Sequence, residues 1–472
     1  MWGRLPVSIV LTALFAAPLL AATPDQVSKI DRMFADAYPA AGPGAAVLVL
    51  QDGKPLLRKG YGMAELELGV PIAPDMVFRV GSVTKEFTAA CILELVEEGR
   101  LALDDPVEKY LPEFPAGGRR VTIERLLTHT SGVRSYTDMP GWFGARMRED
   151  RSPREIEALF DGEPFDFEPG TQWHYDNSGY ILLGEILEKV SGKPYADLVA
   201  ETIFRPLGMN DTHYGSDVPI VPKRVAGYQK TPDGVINAPF LSMTEPYSAG
   251  GLVSTVDDLA RWHRALDAGA ILKPESVRRM WTPVRLPDGR DTRYGFGWII
   301  WSLDGHPVVE HGGGINGFQT ANLRLPDERI YVAVLSNCSG CADPRALALS
   351  AATLLAGRPW AERRTVKVPA ATLDRYSGIY RDVEGDDWVV ERKDDHLVVA
   401  AGRRFEAWPS SEDTFFFRDA VREIRFVVGP GGAVTGMEID EKAGPVETAR
   451  RVSASSEGPF ASPSTASGAN GD

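Results

Sequence analysis

Apolar residues follow two different patterns along the chain, and the change between them separates two folded regions. In the first region, residues 24–37 have the spacing of an amphipathic helix, and residues 44–50 and 54–61 form two strand-like runs around an Asp52-Gly53 turn. Helical patterns fill the middle. Further strands are predicted at 294–301, 308–311, 319–325 and 330–335, before a helix at 344–356. Strands at both ends of a helical middle predict an α+β domain.

The second region, after residue 369, consists of short strands separated by turns. They are predicted at 376–380, 388–392, 397–400, 414–417, 424–428 and 434–439. Even spacing of short strands favours a small β-barrel or sandwich. Residues 454–472 are rich in Ser, Ala, Gly and Pro, which predicts a disordered tail. We therefore divide the chain into a first domain at 23–364, a small barrel at 370–453 and the tail.

The N-terminus has the pattern of a secretory signal. Arg4 supplies a positive charge, and an apolar run from Leu5 to Ala22 precedes Thr23. Cleavage near Ala22 would release a signal peptide at residues 1–22. A transmembrane anchor is the alternative, but the run is short and is interrupted by Pro18. We expect an exported protein, periplasmic or secreted, with no stable membrane insertion after cleavage.

Composition and net charge limit the classes of molecule that this protein is expected to bind. Hydrophobic residues make up 43% of the 472 residues and charged residues 25%, the balance of a globular protein. The net charge of −14 argues against binding to nucleic acid or to an anionic membrane, which requires a basic face. The expected partner is a small molecule or a short peptide. The seven His are scattered and no H-E-x-x-H motif occurs, so no metal or other cofactor is predicted.

Three cysteines are present. Cys91 lies in an apolar helical pattern and is interpreted as a small buried side chain. Cys338 and Cys341 form a C-x-x-C motif after a predicted strand, without two further metal ligands nearby. In an oxidising compartment, a local disulfide is the expected state of this pair.

The first chemical motif is Ser82-Val83-Thr84-Lys85, an S-x-x-K sequence. The apolar residues that follow have helical spacing as far as Gly99, so Ser82 is predicted at a helix N-terminus with Lys85 one turn further on the same face. Free N–H groups at that terminus suit an oxyanion, and a neighbouring amine can activate the hydroxyl. Taken alone, the motif favours the simpler interpretation of an ordinary helix cap followed by a solvated lysine.

Two later motifs change that interpretation. Tyr175-Asp176-Asn177 precedes an amphipathic helix, and His311-Gly312-Gly313 follows a strand. The order S-x-x-K, Y-x-N and then a K-T-G-like strand resembles the class C β-lactamases and related penicillin-binding proteins. Other stretches that are similar to this family lie at 125–132, 167–170, 203–209 and 248–252. The resemblance implies an antiparallel sheet with a helical subdomain, and the second region resembles the lipocalin-like domain attached to some members.

The resemblance implies a role for each motif residue. Ser82 would attack a carbonyl and form an acyl-enzyme. Lys85 and Tyr175 would accept the proton of Ser82 and later return a proton, and which of the two is the base stays open. Asn177 would offer its amide to the substrate and to Lys85. The N–H groups of Ser82 and Gly314 would form the oxyanion hole.

The third motif departs from the lactamase pattern. His311 stands in place of a lysine, as in some DD-peptidases and D-aminopeptidases. It is expected to donate a hydrogen bond to Tyr175 or to the substrate, and its charge is expected to vary near neutral pH. Gly312 stands in place of a threonine and has no hydroxyl for a substrate carboxylate. Residues 312–314, all glycine, are expected to leave room for a bulky leaving group. These departures favour an esterase or D-amino-acid peptidase over an efficient β-lactamase.

Several alternatives remain at this point. A long-lived acyl-enzyme would make the protein a sensor or scaffold, and a true β-lactamase is a further alternative that the first two motifs allow. The barrel could instead bind a cell-wall or lipid ligand. His129 and His174 are interpreted as structural, and substrate specificity is expected in two loops, at 135–154 and 216–246.

Overall fold

The computed structural model describes residues 21–360 and 362–452. Apart from Ala21 and Ala22, the predicted signal segment lies outside the described residues, and so does the whole of the predicted tail at 454–472. Within the described residues, no helix combines the length and the apolar composition that a bilayer span needs.

A six-stranded antiparallel sheet forms the centre of the first region. Its strands, in spatial order β3-β4-β5-β6-β1-β2, are β1 Ala45–Gln51, β2 Lys54–Tyr61, β3 Ile299–Leu303, β4 His306–Ile315, β5 Phe318–Leu325 and β6 Ile330–Ser336. All seven residues of β1 are buried. Since successive side chains point to opposite faces, a continuous apolar run indicates a strand covered on both sides.

Two layers of helices cover the sheet. On one face, α1 (Pro24–Ala37) packs beside the last helix of this region, Pro344–Leu355. The other face carries α2 (Thr84–Glu97), α3 (Asn177–Ser191) and α4 (Val256–Ala268). Shorter α-helices complete the helical part at Ile123–Leu127, Pro153–Glu157, Tyr195–Val199, Arg205–Leu207, Tyr247–Gly250 and Pro274–Met280. The predicted α+β architecture is therefore confirmed.

Small sheets of two or three short strands brace the loops of this region. One small sheet joins Phe78–Arg79, Leu252–Ser254 and His213–Tyr214, and another joins Cys338–Ser339, Tyr228–Thr231 and Gly234–Asn237. A third pairs Met63–Glu65 with Val70–Pro71. Cys338 and Cys341 form a disulfide, as the sequence predicts, and the Cys91 thiol is buried.

The second region is a closed eight-stranded antiparallel barrel preceded by the helix Ala370–Tyr376. The strands are Gly378–Arg381, Asp387–Lys393, His396–Ala401, Arg403–Pro409, Thr414–Phe417, Glu423–Val428, Val434–Asp440 and Glu447–Val452. Aromatic side chains fill its core: Tyr376 stacks on Phe426 at 4.1 Å between ring centres. Closure removes the exposed edges that an open sheet would leave.

Two strand predictions were wrong in detail, and two strands were not predicted. Residues 294–298 are not part of β3, because Arg293 and Gly297 have positive φ and the chain turns there. Residue 376 ends a helix, and the first barrel strand begins only at Gly378. The strands Arg403–Pro409 and Glu447–Val452 were not predicted.

One loop of the barrel reaches the first region. Gly444 packs so closely on Trp173 that a Cβ there would lie 2.4 Å from the indole ring. Arg345 donates to the Glu310 carboxylate at 2.8 and 3.0 Å and to the Glu441 carbonyl at 2.9 Å. These contacts bind the loop at residues 441–444 to the segments that carry the second and third motifs.

Candidate active site

Ser82 lies in a single 3₁₀ turn, Gly81–Val83, which leads directly into α2. Gly81 has a φ of 52°, a conformation that favours glycine. Ser82 is half-buried and lines a cavity. The predicted position of Ser82 at a helix start is therefore confirmed.

Lys85 is completely buried beneath Ser82. Its Nζ lies 3.1 Å from Ser82 Oγ and donates at 2.8 Å to both Asn177 Oδ1 and the Ala249 carbonyl. Burial lowers the pKa of Lys85 to about 7, although the charge of Asp176 opposes the shift. A substantial fraction of this amine is therefore neutral at pH 7 and can accept a proton from Ser82.

Tyr175 completes the group on the other side of Lys85. The amine nitrogen lies 4.8 Å from the centre of its ring. Burial raises the pKa of Tyr175 far above its usual range, although a hydrogen bond with Ser82 opposes the shift. The phenol is therefore protonated at neutral pH, which favours Lys85 as the base and Tyr175 as a shuttle that donates and accepts in turn.

Asn177 is the first residue of α3, whose N-cap Asp176 accepts a hydrogen bond from Gly179 N at 3.0 Å. Its Oδ1 accepts from Lys85, and its Nδ2 donates to Thr137 Oγ1 at 3.0 Å. The predicted contact with Lys85 is present, and Thr137 fixes the orientation of the amide.

Behind this segment, His129 holds the second motif in place. Its Nδ1 accepts from Asp176 N at 3.0 Å, and its carbonyl accepts from His174 N at 3.1 Å. Its ring centre lies 4.3 Å from that of Tyr175. His129 has a φ of 59°, rare for a residue with a side chain. It fixes the backbone on both sides of Tyr175, which agrees with the structural role predicted for it.

The three glycines of the third motif have different surroundings. A Cβ on Gly313 would lie 2.0 Å from the Val80 carbonyl oxygen, and one on Gly312 would lie 3.3 Å from the Thr320 carbonyl. Only Gly314 lines the cavity, and a Cβ there would have no atom within 4 Å. The expectation of room above all three glycines was therefore wrong, because Gly313 packs directly on the Val80 backbone, two residues before Ser82.

His311 does not have the variable charge that the sequence suggested. It is buried, its Nε2 lies 2.8 Å from the Tyr294 hydroxyl, and its Nδ1 lies 2.6 Å from the Gly312 carbonyl. Burial, with a smaller effect from the Lys85 charge, lowers the pKa of His311 to about 3. The imidazole is neutral at physiological pH, and both of its nitrogens are used within the protein. It does not line the cavity and does not hydrogen-bond to Tyr175.

The cavity beside Ser82 has a volume of about 180 Å³. Both loops that were expected to set specificity contribute to its wall, the first through residues 136, 137, 142 and 143 and the second through residues 241 and 246. Gly314 and the two residues after it complete the opposite side. Ser82, Asn177 and Gly314 thus face one cavity, with Lys85 and Tyr175 behind Ser82.

Three contributors were missed by the sequence analysis. The Ala249 carbonyl accepts a hydrogen bond from Lys85, and the only sequence signal for it is the family similarity of residues 248–252. Thr137 accepts a hydrogen bond from Asn177, and the sequence places it in a loop expected to set specificity. Tyr294 holds His311, but nothing in the sequence linked these two residues, since 294 was assigned to a strand.

Comparison with known proteins places this geometry in a family. The Beta-lactamase family model matches residues 31–357, and a domain of unknown function (DUF3471) matches residues 362–452. Penicillin-binding protein 4* of Bacillus subtilis is 32% identical over 414 residues, which cover 82% of this chain and 90% of that protein. D-aminopeptidase of Gluconobacter oxydans is 31% identical over 350 residues, covering 73% of this chain and 65%, less than two thirds, of the relative.

Solved structures agree with these matches. The octameric penicillin-binding protein homologue from Pyrococcus abyssi superposes with a TM-score of 0.63 at 27% identity, covering 90% of this chain and 99% of that one. The D-amino acid amidase from Ochrobactrum anthropi, complexed with D-phenylalanine, has a TM-score of 0.59 at 26% identity and covers 67% of this chain and 92% of its own. This chain therefore belongs to the beta-lactamase family and is a serine hydrolase related to the penicillin-binding proteins.

Proposed function

We propose that this protein hydrolyses amides or esters of D-amino-acid type through an acyl-enzyme on Ser82. The observation that carries the proposal is the buried Lys85 amine, which lies 3.1 Å from Ser82 Oγ and is fixed by Asn177 and the Ala249 carbonyl. The likeness to D-aminopeptidase and D-amino acid amidase supports the D-amino-acid acyl group.

In acylation, Ser82 Oγ forms a bond to the substrate carbonyl carbon while its proton passes to Lys85 Nζ. The N–H groups of Ser82 and Gly314 stabilise the oxyanion; Gly314 N lies beside Gly81, 3.1 Å from where a Cβ on Gly81 would be. The bond from carbon to the leaving nitrogen or oxygen then breaks. The leaving group takes a proton from the Tyr175 hydroxyl, which regains one from Lys85.

Deacylation repeats these steps with water as the nucleophile. A water molecule attacks the acyl carbon and gives its proton to the Lys85 and Tyr175 pair. Breakage of the ester bond then returns a proton to Ser82 Oγ and releases the carboxylic acid. Lys85 and Tyr175 serve both half-reactions, because the amine and the phenol end each cycle in their starting protonation states.

The substrate preference follows from the third motif. His311 is neutral and Gly312 has no hydroxyl, so this strand offers neither a fixed cation nor a hydroxyl to a carboxylate on the leaving-group side. A charge-assisted hydrogen bond contributes about 1.5–3 kcal/mol, so its absence weakens recognition of such substrates by about ten- to a hundredfold. We propose that simple esters and D-aminoacyl amides are hydrolysed faster than β-lactams.

Export belongs to the same proposal. The apolar N-terminal segment and the Cys338–Cys341 disulfide both suit an oxidising compartment. Fractionation of cells that express the full chain should recover the protein outside the cytoplasm, shortened near Ala22. Full-length protein confined to the cytoplasm would contradict export and leave the catalytic proposal intact.

The catalytic proposal is tested by turnover and labelling. The wild type should release more than one equivalent of product per protein from a p-nitrophenyl ester and should be labelled by a fluorophosphonate. Ser82→Ala should lose labelling and retain at most about a thousandth of the activity, a typical scale for a lost nucleophile. Ser191→Ala, at the end of α3, is the control serine.

A single stoichiometric burst without turnover would identify a binder and contradict hydrolysis. Comparison of kcat/KM for the ester, a D-alanyl amide and a cephalosporin tests the substrate preference. A cephalosporin with the highest value would show that another residue binds the carboxylate.

A further inference from the structure

We infer that the acyl group carries an uncharged aromatic or similarly bulky apolar side chain and a capped or absent α-amino group. The inference rests on the proposed function and narrows it to one substrate class: N-acylated D-aminoacyl or arylacetyl amides and esters. The chemistry and the charge of the cavity beside Ser82 lead to this conclusion.

Apolar side chains dominate the cavity wall. Beside Ser82 it is lined by Tyr136, Trp142, Phe143, Leu241, Pro246 and Ile315. A dry apolar cavity of about 150 Å³ holds a benzene ring, so the 180 Å³ here suits one aromatic ring and its linking carbon. Burial of such a ring against aromatic walls is favourable by area and by edge-to-face contact.

The walls are held in place before any ligand binds. The Tyr136 ring packs edge-on against Trp142 with 4.6 Å between ring centres, and its hydroxyl donates to the Glu245 carbonyl at 2.8 Å. The Tyr136 backbone N–H donates to Ser178 Oγ at 2.8 Å. The Glu245 carboxylate pairs with Arg151 and so ties the two loops together. A preformed apolar cavity selects ligands by shape, and binding costs little free energy because its side chains are already ordered.

Charge decides the second half of the inference. Among the residues that the structure describes, those that line this cavity are all uncharged. The acids next to lining residues face other groups: Glu245 is buried and paired with Arg151, Asp138 lies 3.6 Å from His174 Nε2, and buried Asp176 accepts from Gly179 N. At the floor, the Lys85 amine lies 3.1 Å from Ser82 Oγ, and its protonated fraction repels a second cation. An α-ammonium on the acyl group would therefore lose water and find no carboxylate.

The test compares p-nitroanilides that share a leaving group and differ in the acyl group. The four substrates are D-alanyl, D-phenylalanyl, N-acetyl-D-phenylalanyl and phenylacetyl p-nitroanilide. At pH 6.5, where an α-amino group with a pKa near 7.7–8.0 is mostly charged, we expect kcat/KM for N-acetyl-D-phenylalanyl to exceed that for D-phenylalanyl by about tenfold or more. At pH 9 the ratio should shrink, because the free amine is then neutral. Changes in the enzyme's own ionisation that affect both substrates equally cancel in the ratio, and loss of the Lys85 charge above pH 7 shrinks the ratio further.

A charge-matched pair of variants checks the cause. Phe143 lies on the cavity rim with 72% of its surface exposed, so its replacement leaves the core intact. Phe143→Asp should raise kcat/KM for the D-phenylalanyl substrate, relative to kcat/KM for its N-acetyl form, by about two- to fivefold. That is the range expected for an exposed ion pair. Phe143→Asn, which lacks the charge, should not. Trp142→Ala should lower kcat/KM for phenylacetyl p-nitroanilide about tenfold relative to kcat/KM for acetyl p-nitroanilide.

The outcomes separate the two proposals. If none of the four substrates, nor the p-nitrophenyl ester, is turned over, the proposed function fails and the inference fails with it. If they are turned over and kcat/KM for the D-phenylalanyl substrate equals or exceeds kcat/KM for its N-acetyl form at pH 6.5, only the inference is overturned. Equal effects of Phe143→Asp and Phe143→Asn would also overturn it.

Discussion

Gly313→Ala tests whether contact between β4 and the segment before Ser82 builds the catalytic geometry. In the structure, an alanine Cβ at this position would lie 2.0 Å from the Val80 carbonyl oxygen and 2.5 Å from Thr320 Oγ1. Real Cβ contacts are not shorter than 3.0 Å, so β4 and Val80 must separate by about 1 Å. The Thr320 hydroxyl, which donates to the Val80 carbonyl at 3.0 Å, would have to move as well.

The expected size of the effect follows from that displacement. A shift of about 1 Å between catalytic groups lowers the rate by about 10². Forcing a methyl group into a packed site costs about 1–3 kcal/mol of stability. We therefore expect kcat to fall by about a hundredfold and the free energy of unfolding to fall by about 1–3 kcal/mol. Ester hydrolysis and urea unfolding on the same preparation measure both.

Gly314→Ala is the matched control on the same strand. Its methyl group would meet no atom within 4 Å, so stability should change by less than about 0.5 kcal/mol. Its methyl group narrows the cavity, so KM is the parameter expected to change. If Gly313→Ala retains kcat within about twofold of wild type and unfolds at the same urea concentration, close packing on Val80 does not set the geometry of the site.

Three further predictions concern protons and the disulfide. Lys85→Ala and Tyr175→Phe should each lower the acylation rate by at least about 10² and be non-additive, since both serve one proton transfer; a double mutant whose loss equals the product of the single losses would show independent roles. Because Lys85 must be neutral to accept a proton and its pKa is about 7, kcat/KM for an ester should rise with pH through about 7. His311→Gln should leave that midpoint in place, and a midpoint displaced by this variant would show that the imidazole titrates there. Reduction of Cys338–Cys341, which closes a very short loop, should cost about 2 kcal/mol in urea unfolding; no change would show that the turn is held without it.

The sequence predicted the nucleophile end of the site because its signals are local. Ser82 and Lys85 are one helical turn apart, so spacing alone places them together. The same holds for Tyr175 and Asn177, which flank the start of α3. The three motifs meet through tertiary packing, and the family resemblance supplied that step.

Other features depend on partners that are distant in sequence. His311 was expected to titrate because an isolated imidazole does, but burial and the Tyr294 hydroxyl keep it neutral. Residues 294–298 have an apolar strand pattern, yet Gly297 turns there and packs on the Lys85 backbone. A Cβ on Gly297 would lie 2.6 Å from the Lys85 carbonyl.

The barrel was predicted only in part for a similar reason. Strand Arg403–Pro409 begins with two arginines and strand Glu447–Val452 contains two more, so neither has a strong apolar pattern. Their pairing partners on both sides complete the closed sheet. Ladder hydrogen bonds in a closed barrel stabilise strands whose own composition is ambiguous.

The barrel loop that rests on Trp173 has a consequence for how this protein can evolve. Gly444 fits against the indole without room for a side chain, and Arg345 joins Glu310, next to His311, to the Glu441 carbonyl. A side chain on Gly444 would displace the indole of Trp173, two residues before Tyr175. Substitutions in this barrel loop are therefore expected to be constrained by the active site as well as by the barrel.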